Sequence, residues 1–372
     1  MRSRTPKQET SPLDATLLRA TPEGTEDYKG RFAERFADDF YRRTAFGLTI
    51  SSIGIGTYLG ECLDDQDSAY TASVLRAISG GINLVDTAIN YRCQRSELAV
   101  GAAIQAAIAD GVVARESLVV CTKGGYVPLE HEPPESREGY QAYLEREFLD
   151  RQIFRSEELV AGGHCLTPRF LRYCIAKSRQ NLGLRTIDIY YLHNPEQQLA
   201  AVARGELRSR LRAAFATLEE TVGRGDIGVY GCATWNGLRA PPETKGHLSL
   251  EELVAAAREV AGDSHHFRAV QLPVNLAMPE AIRAQTQRLG SQLVTPLDAA
   301  SELGLTVIAS ASLMQARLAS GLPDEMRDLF PKCRTDAQRA IAFVRSVSGV
   351  TSALVGMRSE EHVEENLGSA VM

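Results

Sequence analysis

The sequence predicts a closed (β/α)8 TIM barrel, an α/β fold carrying an N-terminal extension and one long insertion after its third strand. Three observations lead there. Eight short apolar runs rich in β-branched residues alternate with segments of helical spacing. Polar, titratable residues end three successive runs, and eight strand–helix units is the number that closes a barrel. The alternation alone also fits an open eight-stranded sheet; the count tips the choice.

The strands expected, in order, are SSIGIGTYL (51–59), INLVDTA (82–88), LVVCTKG (118–124), DIYYLHN (188–194), IGVYGCA (227–233), FRAVQLPVN (267–275), LTVIASAS (305–312) and SALVGMR (352–358). Helical patterns fill the gaps between them. DSAYTASVLRAISGG (67–81) closes on a Gly pair suited to a C-cap, and SELAVGAAIQAAIADG (96–111) also ends on Gly. TPRFLRYCIAKSRQNLGL (167–184) opens with Thr as N-cap and Pro at the first helical position. LRAAFATLEETVGRG, LSLEELVAAAREVAG, TPLDAASELG and TDAQRAIAFVRSV continue the series, and SEEHVEENL closes it.

Two segments stand outside the alternation, which sets the organisation as an extension at 1–47 and a single barrel over 48–372 with an insertion at 126–165. In the extension, Tyr28, Phe32, Phe36 and Phe40 recur every fourth residue, one face of a helix that packs on the outside of the barrel or docks a partner. The insertion is polar, holds Pro128, Pro133 and Pro134, and carries a short helix pattern, GYQAYLEREFLDRQ. Long insertions of this kind are usually functional or flexible, so a substrate lid and a subunit contact are both open readings.

Composition excludes several classes of function. Hydrophobic residues at 44% and charged residues at 24% are ordinary for a globular chain, and a formal net charge of -6 gives no reason to expect nucleic acid or an anionic membrane. Seven scattered cysteines without a C-x-x-C pair argue against a disulfide framework or a metal site. MRSRTPKQETSPLDATLLRA lacks the apolar core of a signal peptide and no apolar run is long enough to span a bilayer, so a cytoplasmic location is expected.

Chemistry is read from the strand ends. Asp86 ends the second strand, Tyr91 lies in the loop after it, Lys123 ends the third strand and His193 the fourth. In a barrel these ends converge on the active-site face. Singly, such an Asp is usually a cap and such a His a satisfied core residue; together they resist that reading, because an unpaired buried charge is costly. A free tyrosine titrates near pH ~10. An ammonium about 4 Å away favours its phenolate by roughly 4 kcal/mol at an effective dielectric near ~20. Asp86 would hold Lys123 charged, and His193 would donate a hydrogen bond to a substrate carbonyl oxygen.

DTAINY with its following SE, TKGG, YYLHNPE and the opening GLTISSIGIGTYLG resemble the Asp, Tyr, Lys and His motifs of the aldo/keto reductase superfamily, over residues 46 to 368. The resemblance implies reversible hydride transfer between NADP(H) and a carbonyl or alcohol, NAD(H) remaining open, with Tyr91 as general acid in reduction and base in oxidation. Lys123 and Asp86 would tune it and His193 would position the substrate. GIGTYLG is a decoy: its spacing, G-x-G-x-x-x-G, is not that of a Rossmann loop.

The same resemblance implies the cofactor path. Glu365 and Asn366 match the pair that contacts adenine, His362 falls where the family often has Arg or Gln, and Gln271 matches the glutamine that binds the nicotinamide carboxamide. Gly56 and Thr57 match first-strand residues by the pyrophosphate, and Asp86, Leu313 and Gly356 are expected along that path. Arg358 lies at a helix start suited to phosphate, where it could pair with a 2′-phosphate or simply cap the helix.

Departures are visible as well. Where the family holds the carboxamide with Ser-Asn, this chain has Ala233 and Thr234, with Asn236 nearby. Ser310 replaces the aromatic that often stacks on nicotinamide, and Arg92 replaces the glycine common after the tyrosine. Arg92 would favour an anionic substrate or pair with Glu97. Little chain follows the Glu-Asn pair to shape specificity. A nucleotide-binding regulatory subunit without turnover is the alternative, since fold resemblance does not settle function. Substrate identity and oligomeric state are not legible.

Overall fold

The computed structural model describes residues 19–371. Eight parallel strands close a barrel: β1 (Ile53–Gly56), β2 (Leu84–Asp86), β3 (Val119–Gly124), β4 (Ile187–His193), β5 (Ile227–Ala233), β6 (Phe267–Pro273), β7 (Thr306–Ser310) and β8 (Ser352–Gly356), with β8 pairing back onto β1. Helices α1 (Asp64–Gly80), α2 (Arg95–Ala109), α3 (Pro168–Leu182), α4 (Arg204–Gly223), α5 (Leu250–Ala261), α6 (Pro296–Glu302), α7 (Asp336–Ser346) and α8 (Glu360–Leu367) follow the strands in turn. Each strand expected from the sequence overlaps one of these: β5 matches its expected run end to end, β4 starts one residue early at Ile187, and the others are trimmed at one or both ends.

Alternation within the strands sorts two cores. Leu84, Val119, Cys121, Ile189, Tyr191, Ala269, Ile308 and Leu354 point inward and fill the barrel. Ile55, Val85, Val120, Tyr190 and Leu192 point outward under the helices. A glycine is obligatory at one contact. A Cβ on Gly231 would lie 1.8 Å from the carbonyl oxygen of Ala269, where the β5–β6 register shifts, so the two backbones meet without a side chain between them.

An antiparallel hairpin, Tyr41–Arg43 with Thr49–Ser51, closes the N-terminal end of the barrel and buries Ile50 and Leu48 against the inner core. The sequence reading did not anticipate it. Nor does the aromatic repeat before it form one helix: the helix is Pro22–Gly30, and the chain turns after Gly30. Phe36 and Phe40 still stack at 3.9 Å, because hydrophobic burial needs only that the rings meet, and turns achieve that as well as a helix does.

The insertion is folded onto the barrel. Helix Arg137–Leu144 runs into a π-turn, Glu145–Leu149, and its Tyr143 and Phe148 pack with Phe154 against Phe170 and Cys174 of α3. Ile89, in the loop that carries Tyr91, belongs to the same cluster, so this folded segment seats that loop. Among the described residues no helix is long and apolar enough to cross a membrane, and no group of acidic, His or Cys side chains could hold a metal ion.

Candidate active site

The C-terminal ends of the strands surround a cavity of about 510 Å3. Asp86 lines it and Lys123 lies buried beside Asp86, at 4% and 1% exposure, which for charged groups demands a partner. Each is the other's: Nζ of Lys123 donates to Oδ2 of Asp86 at 2.5 Å and to the carbonyl oxygen of Thr87 at 2.8 Å. The second carboxylate oxygen of Asp86 accepts from Nε2 of Gln271 at 2.8 Å. The ammonium also lies 4.9 Å from the centroid of the Tyr91 ring.

The electrostatics correct one expectation. The Tyr91 phenol is held above its ordinary value, not below it: burial dominates, and Lys123, which favours the phenolate, offsets only part of that. Burial alone would lower the Lys123 ammonium, but Asp86 and Tyr91 outweigh it and hold the group above the ordinary lysine value. Burial likewise lifts the Asp86 carboxyl, opposed by Lys123 and Gln271. His193 is pushed well below the usual imidazole range by burial, with Lys123 and His164 adding to the effect, so it stands neutral.

His193 lies 5.8 Å from Tyr91 and 5.0 Å from Tyr126, ring to ring and edge-on in both cases. Its backbone is pinned from the insertion: Nε2 of His164 donates to the His193 carbonyl at 2.8 Å, and Nε2 of Gln198 donates to Nδ1 of His164 at 2.7 Å. Tyr126 accepts a hydrogen bond from Asn194 at 3.0 Å.

Of the cofactor positions expected from the sequence, Gly56, Thr57, Asp86, Thr234, Gln271, Ser310, Leu313 and Gly356 all line the cavity. Arg358, His362, Glu365 and Asn366 lie outside it, at the start of α8 and along that helix. Arg358 is exposed, 3.4 Å from Oε1 of Gln66; Ser359 caps the helix by accepting from the His362 backbone. Asn236 does not line the cavity, and its side-chain oxygen accepts from Arg239. Thr234 faces the cavity instead, and its hydroxyl, like that of Ser312, is buried without a hydrogen-bond partner among the described residues.

Arg92 carries neither of the roles expected of it. Its guanidinium points away from the cavity, donates to the Glu61 carbonyl and to Asp67 at 2.8 and 2.5 Å, and lies over the Tyr70 ring. Glu97 accepts from Thr122 and Asn181 instead. Arg92, Cys93 and Gln94 have φ of 47°, 53° and 70°, a left-handed turn of three non-glycine residues that the Arg92 contacts hold in place. Several cavity residues were not anticipated: Tyr58, Asn90, Tyr126, Asn194, Gln197 and Trp235. Asn90 was within reach, since it stands beside Tyr91, and Tyr58 and Asn194 close runs expected as strands; Tyr126, Gln197 and Trp235 follow strand ends, where no periodic signal points to them.

Residues 52–240 match the model of the aldo/keto reductase family. The chain is 34% identical over 154 residues to an NADH-specific methylglyoxal reductase of Escherichia coli strain K12, covering 39% of each protein. It is 31% identical over 191 residues to a D-threo-aldose 1-dehydrogenase of a Pseudomonas species, covering 50% of this chain and 51% of that one. These alignments thus span about half, or less, of the relatives' length. Two structures of a Klebsiella pneumoniae aldo/keto reductase, in complex with NADP and acetate and with NADPH, superpose with TM-scores of 0.59 and 0.58 at 21% identity. They cover 89% and 88% of both chains and support the fold alone.

Proposed function

The chain belongs to the aldo/keto reductase family, and on that premise we propose that it is an oxidoreductase acting between NADP(H) and an uncharged carbonyl or alcohol. One observation carries the reading: a buried Asp86–Lys123 pair with a tyrosine ring against its ammonium, Asp86 and Tyr91 lining one cavity and Lys123 buried behind them.

The cavity fits a nicotinamide cofactor. Two buried hydroxyls, Thr234 and Ser312, lack partners among the described residues and suit a carboxamide, while Arg358 beside the capped start of α8 suits a phosphate. Gln271, expected at the carboxamide, spends its amide N–H on Asp86 and so serves the ion pair. When bound, the cofactor supplies the hydride in reduction or takes it in oxidation.

The chain's own residues manage the proton. The Tyr91 phenol, lifted further by burial, is protonated at neutral pH, the form a general acid needs. Lys123 stabilises the phenolate left when that proton passes to the substrate oxygen, and Asp86 with Gln271 keeps the ammonium charged and fixed. His193 offers a polar but uncharged hydrogen-bonding edge to the same oxygen. Asp86 and Lys123 neutralise each other and Arg92 is turned away, so among the described residues the substrate meets no free charge.

Titration with NADPH and NADH, followed by turnover on a panel of aldehydes, ketones and sugars, tests the proposal. NADPH-dependent reduction of an uncharged carbonyl is expected. Tight NADPH binding with no turnover on any member would favour the regulatory-subunit reading instead.

A further inference from the structure

Asn90 immediately precedes Tyr91, lines the cavity, and places its Oδ1 3.2 Å from Nδ1 of His193. It is the one hydrogen-bond partner of that imidazole among the described residues, and its amide makes no other bond there. His193 is neutral, and a neutral imidazole has one donor and one acceptor nitrogen. Which is which depends on what the other nitrogen faces.

Two arrangements are open to the pair. With Oδ1 toward the ring, Nδ1 must carry the proton and Nε2 presents a bare lone pair; a carbonyl oxygen would meet lone pair against lone pair. With the amide turned by half, Nδ2–H donates to a bare Nδ1, and the ring proton moves to Nε2. The two ends of an amide are nearly equal in size, so the turn leaves the packing unchanged. No second partner of Asn90 resists it among the described residues.

We propose that Asn90 is a positioning residue: its side-chain N–H donates to Nδ1 of His193 and so fixes the imidazole proton on Nε2, facing the substrate oxygen. For its effect on rate this rests on the proposed carbonyl chemistry; for the tautomer itself it does not. Aspartate at this position can only accept, which forces the proton onto Nδ1. Leucine takes no part, so the ring keeps access to the Nε2–H form.

The experiment is 15N NMR of the full chain labelled at histidine, with His193 assigned from the signals lost in His193→Gln. Spectra are recorded near pH ~9, where imidazolium is absent. Wild type is expected to show Nε2 protonated, Asn90→Asp to show Nδ1 protonated, and Asn90→Leu to show Nε2 protonated. In NADPH-dependent reduction of an aldehyde, Asn90→Asp should lose about 100-fold in kcat/KM, the usual effect of removing one donor to a developing oxyanion. Asn90→Leu, the larger chemical change, should lose less than about 10-fold, with NADPH affinity unchanged in both.

A wild-type ring protonated on Nδ1, an Asp variant with the wild-type tautomer, or a Leu variant as impaired as the Asp variant would each overturn the proposal. A chain that reduces no aldehyde would remove the proposed activity, and the spectra alone would then decide the tautomer.

Discussion

Replacing Lys123 with methionine removes the ammonium while keeping a stem of similar length, and two separate losses follow from the geometry. The first is electrostatic. Nζ lies 4.9 Å from the Tyr91 ring centroid. At about 5 Å and an effective dielectric of ~20, its attraction for a phenolate is about 3 kcal/mol. That corresponds to roughly two pK units. A phenol already lifted by burial becomes a still weaker acid, and kcat should fall by about 100- to 1,000-fold, within the usual span for general acid–base catalysis. The second loss is structural. Asp86 keeps only Gln271 as a side-chain partner, and stranding one member of a buried pair costs about 3–5 kcal/mol. Steady-state NADPH oxidation and denaturant unfolding read the two separately. Asp86→Asn combined with Lys123→Met removes both charges, so it should recover most of the stability and none of the rate. Turnover of Lys123→Met within about twofold of wild type would refute the reasoning. So would a double variant that regained activity together with stability.

Three further outcomes are expected. Arg92 stands at φ 47°, so Arg92→Gly and Arg92→Ala should both destabilise by losing the Asp67 pair, but unfolding should show Gly the more stable by about 1 kcal/mol. His164 is pushed down to about 4 by burial, below its unfolded value near ~6.5. The unfolded chain therefore binds the extra proton first, and the His164 contribution, at most ~3 kcal/mol, is present above pH ~6.5 and lost as pH falls through about 4. Unfolding of His164→Gln should show a shallower acid slope over that window. Arg358→Ala should weaken NADPH binding by about 10-fold while leaving NADH unchanged, if its guanidinium meets a 2′-phosphate.

What the sequence disclosed follows the range over which each signal acts. Strand and helix periodicity is local, so all eight strands of the barrel were legible, and the ends of β2, β3 and β4 placed Asp86, Lys123 and His193 at one mouth. Tyr91 was legible because a motif carries it. Burial was not: the Tyr91 phenol is set by how many neighbours exclude water, a sum over loops distant in sequence, and that sum reverses the shift expected from Lys123 alone. Side-chain direction failed in the same way. Arg92 stands beside Tyr91 in the chain, yet left-handed backbone turns it toward Asp67, and no composition rule announces three non-glycine residues with positive φ. The aromatic repeat at Tyr28 to Phe40 had helical spacing, but its burial was satisfied through turns.

NADPH oxidation by Tyr91→Phe, with NADPH affinity measured on the same preparation, tests most directly whether this phenol delivers the proton. Turnover at least about 1,000-fold lower, with the dissociation constant for NADPH within about twofold of wild type, is the predicted result. Wild-type turnover by a phenylalanine that has no proton to give would contradict it.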